Sequence, residues 1–459
     1  MFFTRDKSFY KTLVTLAIPI ALQNAVTFAV GLADNVMIGT LGDSAISGVY
    51  VGSQLQTLLQ MFIGGIEGAI LILAAQYWGK RDTKSIRRIA AIGVRFALLI
   101  GLVITATAFL LPSQIVSLFT SDASVIEAGT VYVRVVSLSY IFFCISQVMV
   151  ATMRAVETAK IGLYVSFVTL IVNVVCNYIL IFGKLGFPAM GVRGAAIATV
   201  LSRFVELAIV ATGAHRSADR YPFMRGVYHS LAIPGVLVKS IFIRSMPLLA
   251  NELMWGAGQA VLLQCYSVRG IQAIAAMNIT STITQIFNEV FLSLGNATAI
   301  LVGQELGASR MTGARRTAWR MITLSVSSCA VMGTLLALFS PLIPHIYNTE
   351  PAIRELASSV IRTAALCMPL FAFANAAYFT LRSGGKTLIT FFFDSCYTWL
   401  INFPIAFVLS RYTALPLPIV YLFVNGVDLL KCIIGFILVK KGVWVNNIVA
   451  SSQDVPQAD

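Results

Sequence analysis

The sequence predicts an all-α membrane protein with twelve transmembrane helices in two six-helix lobes related by a parallel internal repeat. Three observations lead to this prediction. Of the 459 residues, 58% are hydrophobic and only 11% are charged, whereas soluble domains average about 25% charged residues. Apolar stretches long enough to cross a bilayer recur about twelve times. The two halves of the chain also align with each other at one constant offset.

Each predicted span is an apolar window of about 20 residues or more, the length that crosses a hydrocarbon core of about 30 Å. Helices are expected because lipid-exposed backbone must be hydrogen-bonded internally, and these windows are too long and too uniformly apolar for barrel strands. The windows lie near residues 11–38, 46–77, 89–111, 128–152, 161–183, 190–213, 240–266, 273–302, 317–340, 356–381, 387–410 and 416–439.

Basic residues in the connecting segments predict the orientation of these spans. They concentrate at the amino terminus, in every second loop and after the last span, while the intervening loops carry few. The positive-inside rule then places both termini in the cytoplasm, as an even number of spans also requires. The net charge of +14 has this topological explanation and forms no basic domain that would bind nucleic acid. We expect a multi-pass protein of the plasma (inner) membrane.

An internal repeat sets the domain organisation. Pro19 and Pro247 are 228 positions apart. The same offset pairs Arg154 with Arg382, with further matches between these points. Because each copy contains six spans, the copies have the same orientation, and substrate is expected at their interface. The predicted parts are an N-terminal lobe (1–213), a cytoplasmic linker (214–239), a C-terminal lobe (240–441) and a C-terminal tail (442–459).

The first span carries a carboxylate at membrane depth. Asp34 lies in an apolar stretch and shares a helical face with Asn24, Thr27 and Gly31. A charge at this depth costs at least about 2.5 to 3.5 kcal/mol on insertion scales, so it usually faces a bundle interior and marks an ion or substrate path. The alternative is an acid near the helix end that simply reaches water.

Span five offers further oxygen ligands. Asn173 and Asn177 are four residues apart and therefore lie on one helical face. Together with Asp34 and Thr199 they could supply carboxylate, amide and hydroxyl oxygens to a hard cation such as Na⁺. Asp34 could instead take up a proton. The residues leave the choice between H⁺ and Na⁺ open, and they predict no organic cofactor and no metal beyond a possible Na⁺ at Asp34.

The second copy has its own acid, Glu252, on span seven. Glu252 shares a face with Trp255 and Gln259, which places an acid beside an aromatic ring and predicts a cradle for an organic cation. The alternative is an acid satisfied by neighbouring helices. The residues expected to complete a site around Glu252 are Asn375 and Tyr378 on span ten and Asp394 on span eleven.

Polar stripes along spans two and eight predict the lining of an aqueous cavity, because so much amide and hydroxyl facing lipid would be costly. Tight packing of helices through small and polar residues is the alternative. The cavity residues assigned from these stripes, together with Asn24 of span one, are Gln60 and Glu67 on span two and Gln285, Asn288 and Glu289 on span eight.

Two pairs of opposite charges, Arg203 with Glu206 and Asp428 with Lys431, are three apart within single helices and are expected to be structural pairs. No nucleophile and base occur at useful spacing, so no enzyme is predicted. A Walker-type glycine loop is also lacking in the sequence, so ATP is not expected to be the direct energy source.

Five segments resemble the multidrug and toxic compound extrusion (MATE) family of secondary transporters. They are ADNVMIG (33–39), AQYWG (75–79), GVRGAAIAT (191–199), PLLANE (247–252) and LRSGGKT (381–387). The resemblance implies two six-helix lobes, alternating access, and export of cationic or amphipathic organic compounds against an inward flow of protons or sodium. It also implies an amino-lobe cation site at Asp34, Asn173, Asn177 and Thr199 and a carboxy-lobe site at Glu252.

The sequence departs from this family at two positions. Asn177 stands where some members have a second acid, and Asn375 stands where some have an aspartate. Two other functions are alternatives. A lipid-linked oligosaccharide flippase of related architecture would favour a cavity ringed with Arg and Lys, and a membrane-embedded transferase would need an acidic or histidine cluster on a sizeable loop. We predict a monomeric transporter of small organic cations in the lipid bilayer.

Overall fold

The computed structural model describes residues 7–216, 234–347 and 349–450, and within these ranges it is helical and contains no strand. The first half contains α1 (Lys7–Gly39), α2 (Asp43–Gly79), α3 (Thr83–Leu110), α4 (Pro112–Ser117), α5 (Ala123–Val136), α6 (Ser139–Ala155), α7 (Ala159–Phe182) and α8 (Gly191–Arg216). The second half contains α9 (Gly235–Ser267), α10 (Ile271–Gly307), α11 (Met311–Phe339), a 3₁₀ turn (Ile343–Ile346), α12 (Pro351–Ser383), α13 (Thr387–Phe391), α14 (Phe403–Tyr412), α15 (Leu417–Gly426) and α16 (Asp428–Lys441).

Every predicted span corresponds to a helix or to a joined pair of helices. Among the described residues, ten of these are long and apolar enough to cross a membrane, and α5 with α6 forms an eleventh that is bent by 52°. The predicted seventh span is α9, whose 33 residues suffice in length but include polar side chains such as Asn251 and Gln259. The predicted all-α membrane fold is therefore confirmed, although α9 is not among the helices that are both long and apolar enough.

The structure separates into two compact units, as contacts along the chain show. One comprises residues 14–216 with 234–245, and the other comprises residues 246–450 with 7–13. In the first unit, α2 packs against α3, α5 and α6, and α7 packs against α8. In the second unit, α12 packs against α10, α11, α15 and α16. The predicted linker (214–239) and tail (442–459) lie partly outside the described residues.

The backbone itself repeats at the predicted offset. Arg81 (φ 63°) and Ser309 (φ 60°) are 228 positions apart, and both adopt the left-handed conformation that L-residues with a side chain rarely adopt. Glu157 (φ 63°) and Gly385 (φ 73°) form a second such pair at the same offset. Since these turns join corresponding helices in the two copies, the repeat holds at the level of local structure.

The eleventh span is irregular where it carries its acid. Residues Thr387–Tyr412 form one span, but two π-helical stretches, Phe392–Cys396 and Thr398–Asn402, separate α13 from α14. A π-helical turn holds an extra residue and is frequent at functional sites. The first stretch contains Asp394 and the second ends at Asn402, so both polar side chains project from distorted turns.

Candidate cation and substrate sites within the two lobes

In the N-terminal lobe, the structure brings Asp34 of α1 onto the two asparagines of α7. The Nδ2 group of Asn177 donates hydrogen bonds to Oδ1 of Asp34 and, over 3.1 Å, to Oδ1 of Asn173. Both asparagines are fully buried, and Asp34 is half-buried. The spacing of four residues on α7 stacks the two amides, so the predicted cluster of these three residues is an actual hydrogen-bonded chain.

One buried oxygen atom of these three hydrogen-bonded side chains accepts no hydrogen bond from the part of the chain that the structure describes. Oδ1 of Asn177 is buried and has no hydrogen-bond partner among the described residues. A buried polar atom without a partner costs free energy, on the order of 1 to 3 kcal/mol. A cation or a water molecule bound beside Asp34 would satisfy this oxygen. The donor set, carboxylate and amide oxygens, suits a hard monovalent cation, and the carboxylate alone suits a proton.

Thr199 lies on the same side of the lobe but is linked to the cluster through Tyr132. The hydroxyl of Tyr132 on α5 is hydrogen-bonded to Thr199 and interacts electrostatically with Asp34. Thr199 also donates to the carbonyl of Ala195 over 3.1 Å. Sequence reasoning missed Tyr132, because a single tyrosine in an apolar span carries no charge or spacing signal that distinguishes it from a packing residue.

A basic group accompanies the acid in this lobe. Arg203, one turn beyond Thr199 on α8, interacts electrostatically with Asp34. Its guanidinium forms an ion pair with Glu206 at 2.6 Å, and Glu206 also accepts a hydrogen bond from the buried hydroxyl of Ser146 at 2.9 Å. The expectation that Arg203 and Glu206 pair locally is therefore confirmed. The pair also leaves Asp34 as the carboxylate of this cluster that is not in an ion pair.

The other predicted residues of this lobe have different surroundings. Glu67 interacts electrostatically with the buried Arg154 of α6, whose Nη2 donates to Oε1 of Gln23 on α1 over 2.9 Å. Asn24 is half-buried and Gln60 is exposed within the unit. Glu67 thus has a basic neighbour, and the assignment of these three residues to a substrate cavity stays a prediction.

In the C-terminal lobe, Asn251 contacts two of the residues that were expected to surround Glu252. Its Nδ2 donates to Oδ2 of Asp394 over 3.1 Å and to the hydroxyl of Tyr378 over 3.3 Å. Ser395 donates to Oδ1 of Asn251 over 2.7 Å. Glu252 itself is half-buried and acts electrostatically on Tyr378. Asn251 could have been found from the sequence, because the 228-residue offset aligns it with the polar Gln23.

Asp394 also binds a lysine, and this differs from the expected local pair. Nζ of Lys431 lies 2.6 Å from Oδ1 of Asp394, whereas Asp428 accepts a hydrogen bond from Nδ2 of Asn402 over 3.0 Å. Lys431 also interacts electrostatically with Asp428, the expected local partner, but its direct ion pair is with Asp394. The reason is tertiary: α16 packs against the first π-helical stretch of span eleven, which brings Asp394 within reach of the lysine.

The remaining candidates of this lobe are not joined to that cluster by the contacts described above. Trp255 is 46% exposed, and the carbonyl of Met254 next to it accepts a hydrogen bond from the indole of Trp399 over 2.9 Å. The Oδ1 atom of Asn375 lies close to Gly295. Gln259, Gln285 and Asn288 are exposed within the unit and Glu289 is half-buried. Their role in a substrate cavity stays a prediction.

The fold and these clusters define a polytopic helical membrane protein made of two related lobes, each with ionisable side chains inside its spans. The MatE family profile matches twice, at residues 19–179 and at residues 248–408. The two matches together cover more than half of the chain and agree with the predicted internal repeat. The chain belongs to the MatE family.

Named relatives share almost the full length of the chain. A probable multidrug resistance protein NorM of Thermotoga maritima is 24% identical over 451 residues, which are 97% of this chain and 96% of the relative. A solved structure described as the outward-facing conformation of a multidrug resistance MATE family transporter of the MOP superfamily superimposes with a TM-score of 0.86 at 19% identity, covering 94% of this chain and 95% of that one.

A second solved structure has a similar fold and a different described role. It is a MOP superfamily transporter from Pyrococcus furiosus whose binding pocket of reverse polarity is said to suggest a different function, and it superimposes with a TM-score of 0.84 at 20% identity, covering 94% of this chain and 95% of that one. At such identities the likeness shows the fold alone. The function therefore depends on the side chains that this protein presents on the shared fold.

Proposed function

We propose that the chain is a secondary active multidrug efflux transporter that exports cationic or amphipathic organic compounds in antiport with H⁺ or Na⁺ by alternating access. Membership of the MatE family and the description of the NorM relative as a multidrug resistance protein support a role in drug export. The observation that carries the proposal is the buried chain from Asp34 through Asn177 to Asn173, which presents oxygen atoms at membrane depth.

The coupling ion is assigned to Asp34. In each lobe, a carboxylate inside the membrane accepts a hydrogen bond from an asparagine amide, which holds the acid in place without neutralising it. Asp34 has no ion pair among the described residues, whereas Asp394 is paired with Lys431. A small cation that enters the N-terminal lobe therefore meets an available carboxylate. An organic cation gains access to the acids of the cavity only in exchange for this small cation.

The proposal extends to the cellular setting. We place the chain in the inner membrane as a monomer with both termini in the cytoplasm, without an organic cofactor and without a catalytic reaction. The dispersed basic loops support this orientation. Labelling of single cysteines introduced after Lys441 and at Asp122 in intact cells tests it: only the Asp122 position should react with a membrane-impermeant thiol reagent.

The transport reaction is tested in proteoliposomes that contain the purified chain. Efflux of ethidium, a monovalent organic cation, is measured under an imposed Na⁺ gradient and, separately, under an imposed proton gradient. The wild-type chain should export ethidium under at least one gradient. Asp34→Asn should lose at least 90% of this gradient-driven export, because an amide of the same shape neither binds a proton nor carries the charge that holds Na⁺.

Asp43→Asn is the matched control, because Asp43 is an exposed aspartate in the first turn of α2. This variant should export ethidium at the wild-type rate. The proposal is wrong if Asp34→Asn still moves ethidium against its gradient as fast as the control does. Transport of a pyrophosphate-linked lipid in place of ethidium would instead support the flippase alternative.

A further inference from the structure

The C-terminal lobe contains one lysine between two aspartates. Lys431 forms an ion pair with Asp394 at 2.6 Å, and the side chains of the two residues are only 10% and 21% exposed. Asp428 precedes Lys431 by about one helical turn on α16 and interacts with it electrostatically. The ammonium also lies 5.5 Å and 5.7 Å from the ring centroids of Phe393 and Tyr397. The lysine thus has a second carboxylate within reach of its flexible stem.

An unused acceptor lies beside that second carboxylate. Asn402 is 6% exposed and donates from Nδ2 to Asp428 over 3.0 Å and to the carbonyl of Val424 over 3.1 Å. Its Oδ1 atom has no hydrogen-bond partner in the described part of the chain. A buried amide oxygen next to a carboxylate is suited to receive an ammonium group. Lys431 is a nearby side chain that can supply one.

The N-terminal lobe shows the alternative pairing. Arg203 is the counterpart of Lys431, because 431 minus 203 is the repeat offset of 228. Arg203 pairs with an acid three residues away on its own helix, Glu206, and Asp34 accepts its hydrogen bond from an amide instead. The fold therefore accommodates a basic residue at this repeat position that pairs with an acid of its own helix. In that arrangement the carboxylate of the neighbouring span has no ion pair among the described residues.

We propose that Lys431 is an internal cation that a transported organic cation displaces from Asp394, and that Lys431 then pairs with Asp428 and Oδ1 of Asn402. The inference rests on the proposed export of organic cations and names the carboxylate that binds them. Asp394 exchanges one monovalent cation for another, so the charge of the site is conserved. The two π-helical stretches of span eleven hold Asp394 and Asn402 in turns with an extra residue, a geometry that is frequent at functional sites.

The test is binding of radiolabelled tetraphenylphosphonium, a lipophilic monovalent cation, to the purified full-length chain by equilibrium dialysis. Asp394→Asn should weaken binding at least tenfold, since it removes the carboxylate. Lys431→Met should strengthen binding at least tenfold, since it removes the competing ammonium. Asp428→Asn should weaken binding about threefold or more, because the displaced lysine loses its second partner. Lys440→Met is the matched control on the same helix, with an exposed lysine, and should bind like the wild type.

The double variant Asp428→Asn with Lys431→Met gives the decisive comparison. If Lys431 is the competitor, the effect of Asp428→Asn disappears once Lys431 is absent, and the double variant binds as tightly as Lys431→Met. Additive effects, or unchanged or weaker binding by Lys431→Met, overturn the inference, as does a lack of binding by every variant. Should Lys431→Met not fold, Lys431→Gln replaces it in both the single and the double variant.

The proposed function is checked separately by ethidium export from wild-type and Lys440→Met proteoliposomes. Export with additive binding effects refutes the lysine exchange alone. If the variants bind tetraphenylphosphonium in the predicted order but no ethidium is exported, the antiport function is refuted and the displacement of Lys431 is not.

Discussion

In each lobe, a hydrogen bond joins a carboxylate and an asparagine on two spans that correspond under the repeat. The helix that carries the acid in one lobe corresponds to the helix that carries the asparagine in the other. Asp34 of span one accepts from Asn177 of span five. In the second lobe the amide, Asn251, is on span seven, and the acid, Asp394, is on span eleven. Both pairs are separated by 143 residues in the sequence. The acid and its amide partner have therefore exchanged helices between the two copies.

The sequence could predict some residues of these clusters and not others. Asn173 and Asn177 were found because spacing along one helix is visible in a single sequence. Asn251 was not predicted, because an uncharged amide is a weaker signal than the neighbouring acid Glu252, although Asn251 and Gln23 share a repeat position. The ion pair of Lys431 with Asp394 joins residues 37 apart on different helices, and only the packing of those helices determines it.

Tyr132 is expected to support the N-terminal cluster. We predict that Tyr132→Phe lowers the free energy of unfolding by about 1 kcal/mol, because it removes one hydrogen bond at a buried site, and that it reduces ion-driven ethidium export. Tyr140→Phe is the control. The hydroxyl of Tyr140 is buried without a hydrogen-bond partner among the described residues, so its removal should be neutral or stabilising. Denaturant unfolding in detergent compares the two, and an equal loss of stability would contradict the assignment.

Asn177→Asp tests whether the N-terminal cluster binds a cation directly. The substitution replaces a donor to Asp34 with a second carboxylate, and two neighbouring carboxylates are stable only with a cation or a proton between them. We expect a lower thermal unfolding temperature in choline buffer and a rise with added Na⁺ that exceeds the rise of the wild type. Thermal unfolding followed by intrinsic fluorescence measures both.

Asn35→Asp is the control for added charge alone, because Asn35 is exposed on the same helix as Asp34. This variant should show no extra response to Na⁺. If Asn177→Asp is equally insensitive to Na⁺ and remains as stable as the wild type, the cluster does not hold a cation between Asp34 and residue 177.

At the scale of elements, the hydropathy of the sequence predicted the number and order of spans, because the length of a membrane-crossing helix follows from bilayer thickness alone. It did not predict the bend between α5 and α6 or the π-helical stretches of span eleven. These depend on local hydrogen-bond geometry and on packing, which leave no apolar period of their own. The irregular elements are also those that hold Tyr132, Asp394 and Asn402.

The turn after α6 carries a residue whose conformation suits glycine. Glu157 has φ 63°, and its counterpart Gly385 has φ 73°. A side chain in this region costs about 1 to 2 kcal/mol, partly offset by the greater flexibility of glycine in the unfolded chain. Glu157→Gly should therefore raise the free energy of unfolding by about 0.5 to 1 kcal/mol, and Gly385→Ala should lower it by about 1 kcal/mol.

Chemical denaturation of both variants in the same detergent checks this prediction. Glu127→Gly is the control, since Glu127 lies within the regular helix α5, where glycine is destabilising by about 1 kcal/mol. Destabilisation by Glu157→Gly comparable to that of the control would show that the side chain of Glu157 makes interactions that outweigh the backbone cost.

For the whole molecule, we expect the two lobes to bind different cations, the coupling ion at Asp34 and the organic cation at Asp394. Within the described part of the chain, Asp34 has no basic partner in an ion pair, and Asp394 has one. We predict that Asp34→Asn keeps the affinity for tetraphenylphosphonium within about threefold of the wild type but loses ion-driven export. Asp394→Asn should lose that affinity while its unfolding temperature still responds to Na⁺ or pH as the wild type does. Equilibrium dialysis and thermal unfolding on the same preparations test both, and a loss of both properties in either variant would mean one shared site.

The repeat is the feature that one sequence showed most clearly, and the family profile matches both copies. What it could not show is which acid each copy holds in an ion pair. The basic positions 203 and 431 obey the offset, but their acidic partners, Glu206 and Asp394, do not. A duplicated backbone fixes where helices run, whereas the choice of counter-ion depends on a few substitutions that leave the packing unchanged.

The π-helical turns of span eleven also provide a way to observe the site. An α-helix inside a bilayer shields its amide hydrogens from water, whereas Phe392–Cys396 and Thr398–Asn402 have wider turns with looser backbone pairing. In heavy water these amides should take up deuterium sooner than those of α12 beside them. Mass spectrometry of the peptides from this span would then report, without any attached probe, when Asp394 changes its ion-pair partner.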